Sequence, residues 1–176
     1  MLISGCNFFN ISGSCIEVIL DRFYLPIEEI DSSKIYMPSV ESENPMYLKN
    51  TVLIRNCRIT TCETGILLHS YSSLSQSLGL KVYIIKNEIV NSIKNGMVLE
   101  NLFVEELEVI ENKITSSGFS GAIIINYHSS KKINIQTCHF FDNLKIGLCL
   151  ENSSAKVQNC KFTHSVTGIW INNIAI

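Results

Sequence analysis

Residues 155–171 read Ala155-Lys156-Val157-Gln158-Asn159-Cys160-Lys161-Phe162-Thr163-His164-Ser165-Val166-Thr167-Gly168-Ile169-Trp170-Ile171. Two apolar residues one apart are followed by a two-residue turn, a Cys, one polar residue and a Phe. A polar turn and a Gly-apolar-x-apolar run close the phrase. Six copies of it can be laid over one another. A Cys-or-Asn slot falls at Cys6, Cys57, Asn87, Asn112, Cys138 and Cys160, and two residues on stand Phe8, Ile59, Ile89, Ile114, Phe140 and Phe162. Eight or nine residues after the slot come Cys15, Gly65, Gly96, Gly121, Gly147 and Gly168. The later copies recur every 22 to 30 residues, and an insertion stretches the first gap to 51. Self-similarity at such a period marks a solenoid, whose units bury their apolar sides only against their neighbours.

Strict alternation over short runs selects strands over helices. The inward pairs of the first strand are Val52/Ile54, Val82/Ile84, Leu107/Val109, Ile133/Ile135 and Ala155/Val157. Those of the third are Ile16/Val18, Ile66/Leu68, Met97/Leu99, Ala122/Ile124, Leu148/Leu150 and Ile169/Ile171, while the second strand pairs the slot with the Ile or Phe after it. Three short strands per repeat, in about six repeats, describe an all-β fold, a parallel β-helix with like side chains stacked at about the 4.8 Å strand spacing; the expected fold class is a right-handed parallel β-helix, although the pattern itself does not set the hand. The six-residue period of a left-handed hexapeptide helix does not appear. Only Leu102 to Lys113 is ambiguous between strand and helix. The recurrent Gly implies either a positive φ or a close backbone approach before the third strand. Asn87 and Asn112 are expected at a bend, their amides bonded to each other and to free backbone groups.

The 176 residues suit one domain, 1–176, which is read as a whole β-helix or a fragment of a longer one. The insertion at 21–50 holds all three prolines, and Phe23, Tyr24, Leu25, Ile27 and Ile30 suggest that part of it packs down as a candidate interaction loop. Net charge is −2 with signs interspersed, so no basic stripe invites nucleic acid. No apolar run approaches the roughly 20 residues of a bilayer span, and no secretory signal is visible at Met1 to Gly5. Seven Cys without a C-x-x-C pair, four of them interchanging with Asn in one slot, argue against obligatory disulfides or a zinc ribbon. Free thiols suit a reducing, cytoplasmic setting.

Chemistry is sparse. Sugar hydrolysis needs two positioned carboxylates, yet the chain has three Asp (Asp21, Asp31, Asp142), and Glu88, Glu100, Glu111 and Glu151 are scattered. The four His belong to different repeats, and His139 alternates away from Cys138, so neither a Cys-His nucleophile nor a metal site is expected. No cofactor is assigned, and the chain is read as a non-enzyme. The surface is more informative. Outward beside the slot, Arg58, Glu88 and Lys113 alternate in sign as a charge ladder. Outward on the third strand, Glu17 is followed by Leu67, Val98, Ile123, Cys149 and Trp170, an apolar strip where water is expected. Such a strip marks an interface, or else a face that the long insertion covers.

The phrases Asn56-Cys57-Arg58-Ile59…Gly65-Ile66 and Asn159-Cys160-Lys161-Phe162…Gly168-Ile169 resemble the repeats of the pectin-lyase-like parallel β-helix superfamily. In tone they are similar to its non-catalytic intracellular branch, that of F-box-only substrate receptors and SHC-SH2-domain-binding proteins. The clustered Asp, Arg and Gly-His-Gly residues of the pectate lyase and polygalacturonase branches are missing, so no catalytic residue is carried over. The expectation is a non-catalytic scaffold or protein-interaction module, part of a larger protein or assembly. Its partners would be other proteins that cap the apolar ends (Met1-Leu2-Ile3 and Ile174-Ala175-Ile176) or cover the third-strand face. Two alternatives stand beside it: a carbohydrate-active or carbohydrate-binding β-helix, and the substrate-receptor domain of a ubiquitin ligase. The second is implied by resemblance alone, without an F-box-like helical segment.

Overall fold

Alternation of apolar and polar residues builds strands and no α-helix in the computed structural model, which describes residues 1–20, 51–70, 79–127 and 133–173. The first repeat supplies β1 (Leu2–Ser4) and β2 (Asn7–Ile19), the second β3 (Thr51–Arg55) and β4 (Arg58–His69), the third β5 (Lys81–Ile85) and β6 (Glu88–Glu100). The fourth supplies β7 (Glu106–Ile110), β8 (Lys113–Thr115) and β9 (Ser120–Ile125). The fifth supplies β10 (Ile133–Gln136), β11 (His139–Phe141) and β12 (Ile146–Glu151), and the sixth β13 (Ala155–Gln158), β14 (Lys161–Thr163) and β15 (Thr167–Asn172). The ambiguous stretch 102–113 is thus strand, because Leu107 and Val109 alternate into the core.

The protein is all-β with parallel sheets. One sheet takes one strand from each repeat in chain order, β1-β3-β5-β7-β10-β13. The other stacks β2, β4 and β6, then the pairs β8/β9, β11/β12 and β14/β15. Every pairing is parallel and joins equivalent positions of successive repeats, as in Val52↔Val82↔Leu107 and Leu99↔Ile124↔Leu150↔Ile171. Three separate strands per repeat are found only in the last three repeats. In the first three, the second and third run on as one strand, because a register shift absorbs the bend (Ile11/Ser14 and Cys62/Thr64) without leaving the ladder.

The bends share one backbone device. Six residues before the slot's Cys or Asn (Gly5, Asn56, Lys86, Glu111, Thr137, Asn159) have φ near +55° to +65°. So do six residues four past the slot, Asn10, Thr61, Asn91, Ser116, Asp142 and His164. A third set, Asn101, Asn126 and Asn152, turns the chain after the third strand. Their amides form a ladder, with Asn126 donating to Asn101 at 2.9 Å and Asn152 to Asn126 at 3.1 Å. Left-handed conformation is ordinary for Gly and Asn but costs about 1–2 kcal/mol for other residues, so Lys86, Glu111 and Thr137 are held there by the stack.

The expected inward pairs of the second through fifth repeats are all buried, in one core between the sheets. Each Ile or Leu among them contributes roughly 1.5–3 kcal/mol before entropy is counted. In the sixth repeat the same positions open up: Val157 and Phe162 are half-buried, and Ile169 and Ile171 are 40% and 61% exposed.

The Asn in the slot carries more than filling. Asn87 Oδ1 accepts the Cys57 N–H at 3.0 Å, and its amide nitrogen donates to the Ile54 carbonyl and to Asn112 Oδ1, both at 3.0 Å. Asn112 in turn donates to the carbonyls of Ile84 (2.7 Å) and Ile110 (3.1 Å). Cys in the same slot does a weaker version of this. The Cys138 thiol donates to the carbonyls of Val109 and Gln136, while Cys160 Sγ accepts the Cys138 N–H at 3.4 Å. Both side chains put a donor and an acceptor within three bonds of Cα, which is why they interchange.

The recurrent Gly resolves in favour of close approach. None of Gly65, Gly96, Gly121, Gly147 and Gly168 has a positive φ. A Cβ on Gly121 would lie 2.6 Å from the Gly147 carbonyl, and one on Gly147 would lie 2.6 Å from that of Gly168.

Candidate functional site

The outward third-strand residues form one register column, Glu17↔Leu67↔Val98↔Ile123↔Cys149↔Trp170. The strip is less open than the pattern implies. Leu67, Val98 and Ile123 are half-buried, Cys149 is buried at 5%, and Trp170 alone is exposed, at 39%. Cys149 is the smallest member of the file and sits between Ile123 and Trp170, so its neighbours shade it. Burial, reinforced by Glu151, pushes its thiol pKa up. Beside the strip, His69 is buried and contacts the Glu17 carboxylate at 3.1 Å. The expected interaction loop, Phe23, Tyr24, Leu25 and Ile27, lies outside the described residues, as do His128 and Ile174 to Ile176.

The charge ladder is present as expected. Glu88 contacts Arg58 at 3.5 Å and Lys113 at 3.1 Å, on paired neighbouring strands. All three side chains are more than one-third exposed, so the ladder contributes little to stability.

A more exposed apolar line lies at the bend after the second strand. Ile93, Phe119, Leu144 and Val166 are 68%, 48%, 65% and 86% exposed. Backbone bonds stack this bend from repeat to repeat: Phe119 N–H to the Lys94 carbonyl at 2.7 Å, Lys145 to Phe119 at 2.9 Å, and Thr167 to Lys145 at 2.9 Å. The ridge is therefore a fixed feature of the sheet edge. Lys145 Nζ lies 3.7 Å from the centre of the Phe119 ring, and Lys94 pairs with Glu63, so cations flank the apolar tips. The alternation does not mark this ridge, since it breaks at the bend. The available signal is that Ile93, Leu144 and Val166 all stand six residues past the slot.

Alongside runs an open groove of about 570 Å3, lined by Ser116, Ser117, Gly118, Asp142, Leu144, His164, Ser165 and Val166. The Ser117 and Ser165 hydroxyls are buried and unpaired. The groove's lining carries one carboxylate, Asp142, and one imidazole, His164, whose ring meets Phe141 edge-on. One acid can orient a polar ligand but cannot supply the acid–base pair of glycoside hydrolysis. Among the described residues no group of three or more His, Cys, Asp or Glu gathers to hold a metal ion, and no helix is long and apolar enough to cross a membrane.

Comparison with family models, with curated proteins and with solved structures finds no match to this chain.

Proposed function

We propose that the two sheets close into a right-handed parallel β-helix of six coils, akin to pectin-lyase-like repeats, and that the molecule is a non-catalytic interaction module in a reducing, intracellular setting. Its partners are other proteins, seated on the bend ridge and the adjoining third-strand face. The observation that carries this reading is the ridge itself. Four large apolar side chains, Ile93, Phe119, Leu144 and Val166, stand out to water from one bend in four successive repeats. Singly exposed apolar residues are ordinary, but several gathered at one bend and interleaved with charge, here Lys94 and Lys145, are the usual mark of an interface. The rigid backbone beneath them lowers the ordering cost of association.

The test compares the wild-type chain with Leu144→Asp/Val166→Asp, both in exposed turns, and with Val98→Asp/Ile123→Asp on the strip. Proteins cross-linked to each in an extract of the source cells are quantified, and melting is followed in parallel. The expected result is loss of the same partners in the ridge variant with unchanged melting. Identical partner sets in all three would remove the basis for the reading. A panel of neutral and acidic polysaccharides, assayed with and without calcium, checks the carbohydrate alternative, for which the groove supplies only Asp142 as an acid.

A further inference from the structure

Down the slot column the residues run Cys6, Cys57, Asn87, Asn112, Cys138, Cys160. Asn fills the two middle repeats, and a pair of Cys sits at each end. The register places each pair on neighbouring strands: Asn7↔Arg58 sets Cys6 beside Cys57, and His139↔Lys161 sets Cys138 beside Cys160. The Cys138 N–H donates to Cys160 Sγ at 3.4 Å, so the second pair is in direct contact. Four of the seven cysteines are thus paired across repeat boundaries, and all seven are free thiols. Within each pair one member is partly exposed (Cys6, Cys160) and the other buried (Cys57, Cys138).

We infer that these pairs are reversible redox clasps, which an oxidised low-molecular-weight disulfide such as oxidised glutathione closes at both ends of the stack. The inference is independent of the proposed binding surface. Strands spaced at about 4.8 Å bring the Cα atoms within the range a disulfide accepts, while stacked Cβ atoms stand slightly wider apart than its usual span. The resulting bond is strained, and strained bonds are the readily reduced, regulatory kind. The chemistry proceeds in two exchanges. The thiolate of the accessible cysteine, having lost its proton to solvent, attacks one sulfur of oxidised glutathione and expels one glutathione thiolate. The buried cysteine then loses its proton, attacks the protein sulfur of the mixed disulfide, and expels the second. Two protein thiols are oxidised to one disulfide and one glutathione disulfide is reduced to two thiols.

The test incubates the purified full chain with oxidised glutathione at about pH 8, then alkylates under denaturing conditions and maps peptides. The expected result is intramolecular Cys138–Cys160 and Cys6–Cys57 bonds, with Cys15, Cys62 and Cys149 alkylated. The unfolding temperature should rise by about 5 °C and fall back on adding dithiothreitol. Cys138→Ser should trap Cys160 as a lasting glutathione adduct, whereas Cys160→Ser should leave Cys138 unmodified. Seven alkylated thiols, adducts that never resolve, bonds only between molecules, or a bonded protein that melts no higher would each overturn the inference.

Discussion

Adding one methyl group at Gly121 tests whether the stacked glycines exist for close approach. A Cβ there would lie 2.6 Å from the Gly147 carbonyl oxygen, 2.8 Å from Phe140 Cδ1 and 2.9 Å from Asn143 Nδ2. Ordinary contact begins at 3.4 Å, so the carbonyl would have to retreat by about 0.8 Å. That carbonyl lies in strand β12, paired on both sides to β9 and β15, and Phe140 and Asn143 are fully buried. None of the three can move without disturbing the ladder or the core. Overpacking of this kind costs about 1–3 kcal/mol, and the upper end applies when backbone is the obstacle. In a chain of 176 residues about 3 kcal/mol lowers the melting temperature by roughly 6–12 °C. Gly168→Ala is the internal control. Its nearest atoms are Phe162 Cβ at 3.3 Å and Cγ at 3.7 Å, in the last repeat, so a change within about 0.5 kcal/mol is expected. Gly121→Asn separates the two explanations: a left-handed requirement would favour Asn over Ala, whereas crowding makes Asn worse. Urea unfolding followed by circular dichroism measures all three. Equal stability of Gly121→Ala and Gly168→Ala, or rescue by Asn, would refute the close-approach argument.

Other outcomes follow from the slot, the thiols and the bends. Asn87→Ala strands the buried Cys57 N–H and should cost about 2–4 kcal/mol in urea unfolding, while Asn87→Cys, which restores a donor and an acceptor, should recover about half. Burial pushes the Cys138 thiol up to about 11 from an ordinary value near 9. The folded state thus holds its proton longer than the unfolded chain, so stability is full below pH 9 and is lost as pH rises through 11. Cys138→Ala should make that fall shallower by about 2 kcal/mol across the window. Thr137 is a β-branched, exposed residue at φ 55°, and Thr137→Asn should raise stability by about 0.5–1 kcal/mol, read as a shift in the urea midpoint at constant slope.

What the sequence discloses here depends on how regular the backbone is. Val82, Ile84, Met97 and Leu99 advertise their inward position, because on a strand burial and period-2 spacing are the same fact. Arg58, Glu88 and Lys113 are legible for the same reason. The bends are harder to read. Lys86, Glu111 and Thr137 carry no local preference for φ above zero, and the stack imposes it on them, so no composition signal precedes the turn. Ile93, Leu144 and Val166 sit where alternation lapses, and their exposure emerges only once the bend is built. Cys149 belongs to the column its spacing assigns, yet its size relative to Ile123 and Trp170 decides its burial, and pattern alone does not weigh size.

Because the strands of the first sheet are laid down in chain order, the molecule can be assembled as it is made. A ribosome delivers about 5–20 residues per second. At a separation of 25 residues, as between Asn87 and Asn112, each new rung emerges every one to five seconds or so onto a template already in place. The widest step is from β2 to β4, 51 residues on in the slot count. The longer wait costs only about 0.6 kcal/mol more in closure entropy than a 25-residue step. Its main effect is on timing, since that rung takes about twice as long to arrive as the later ones.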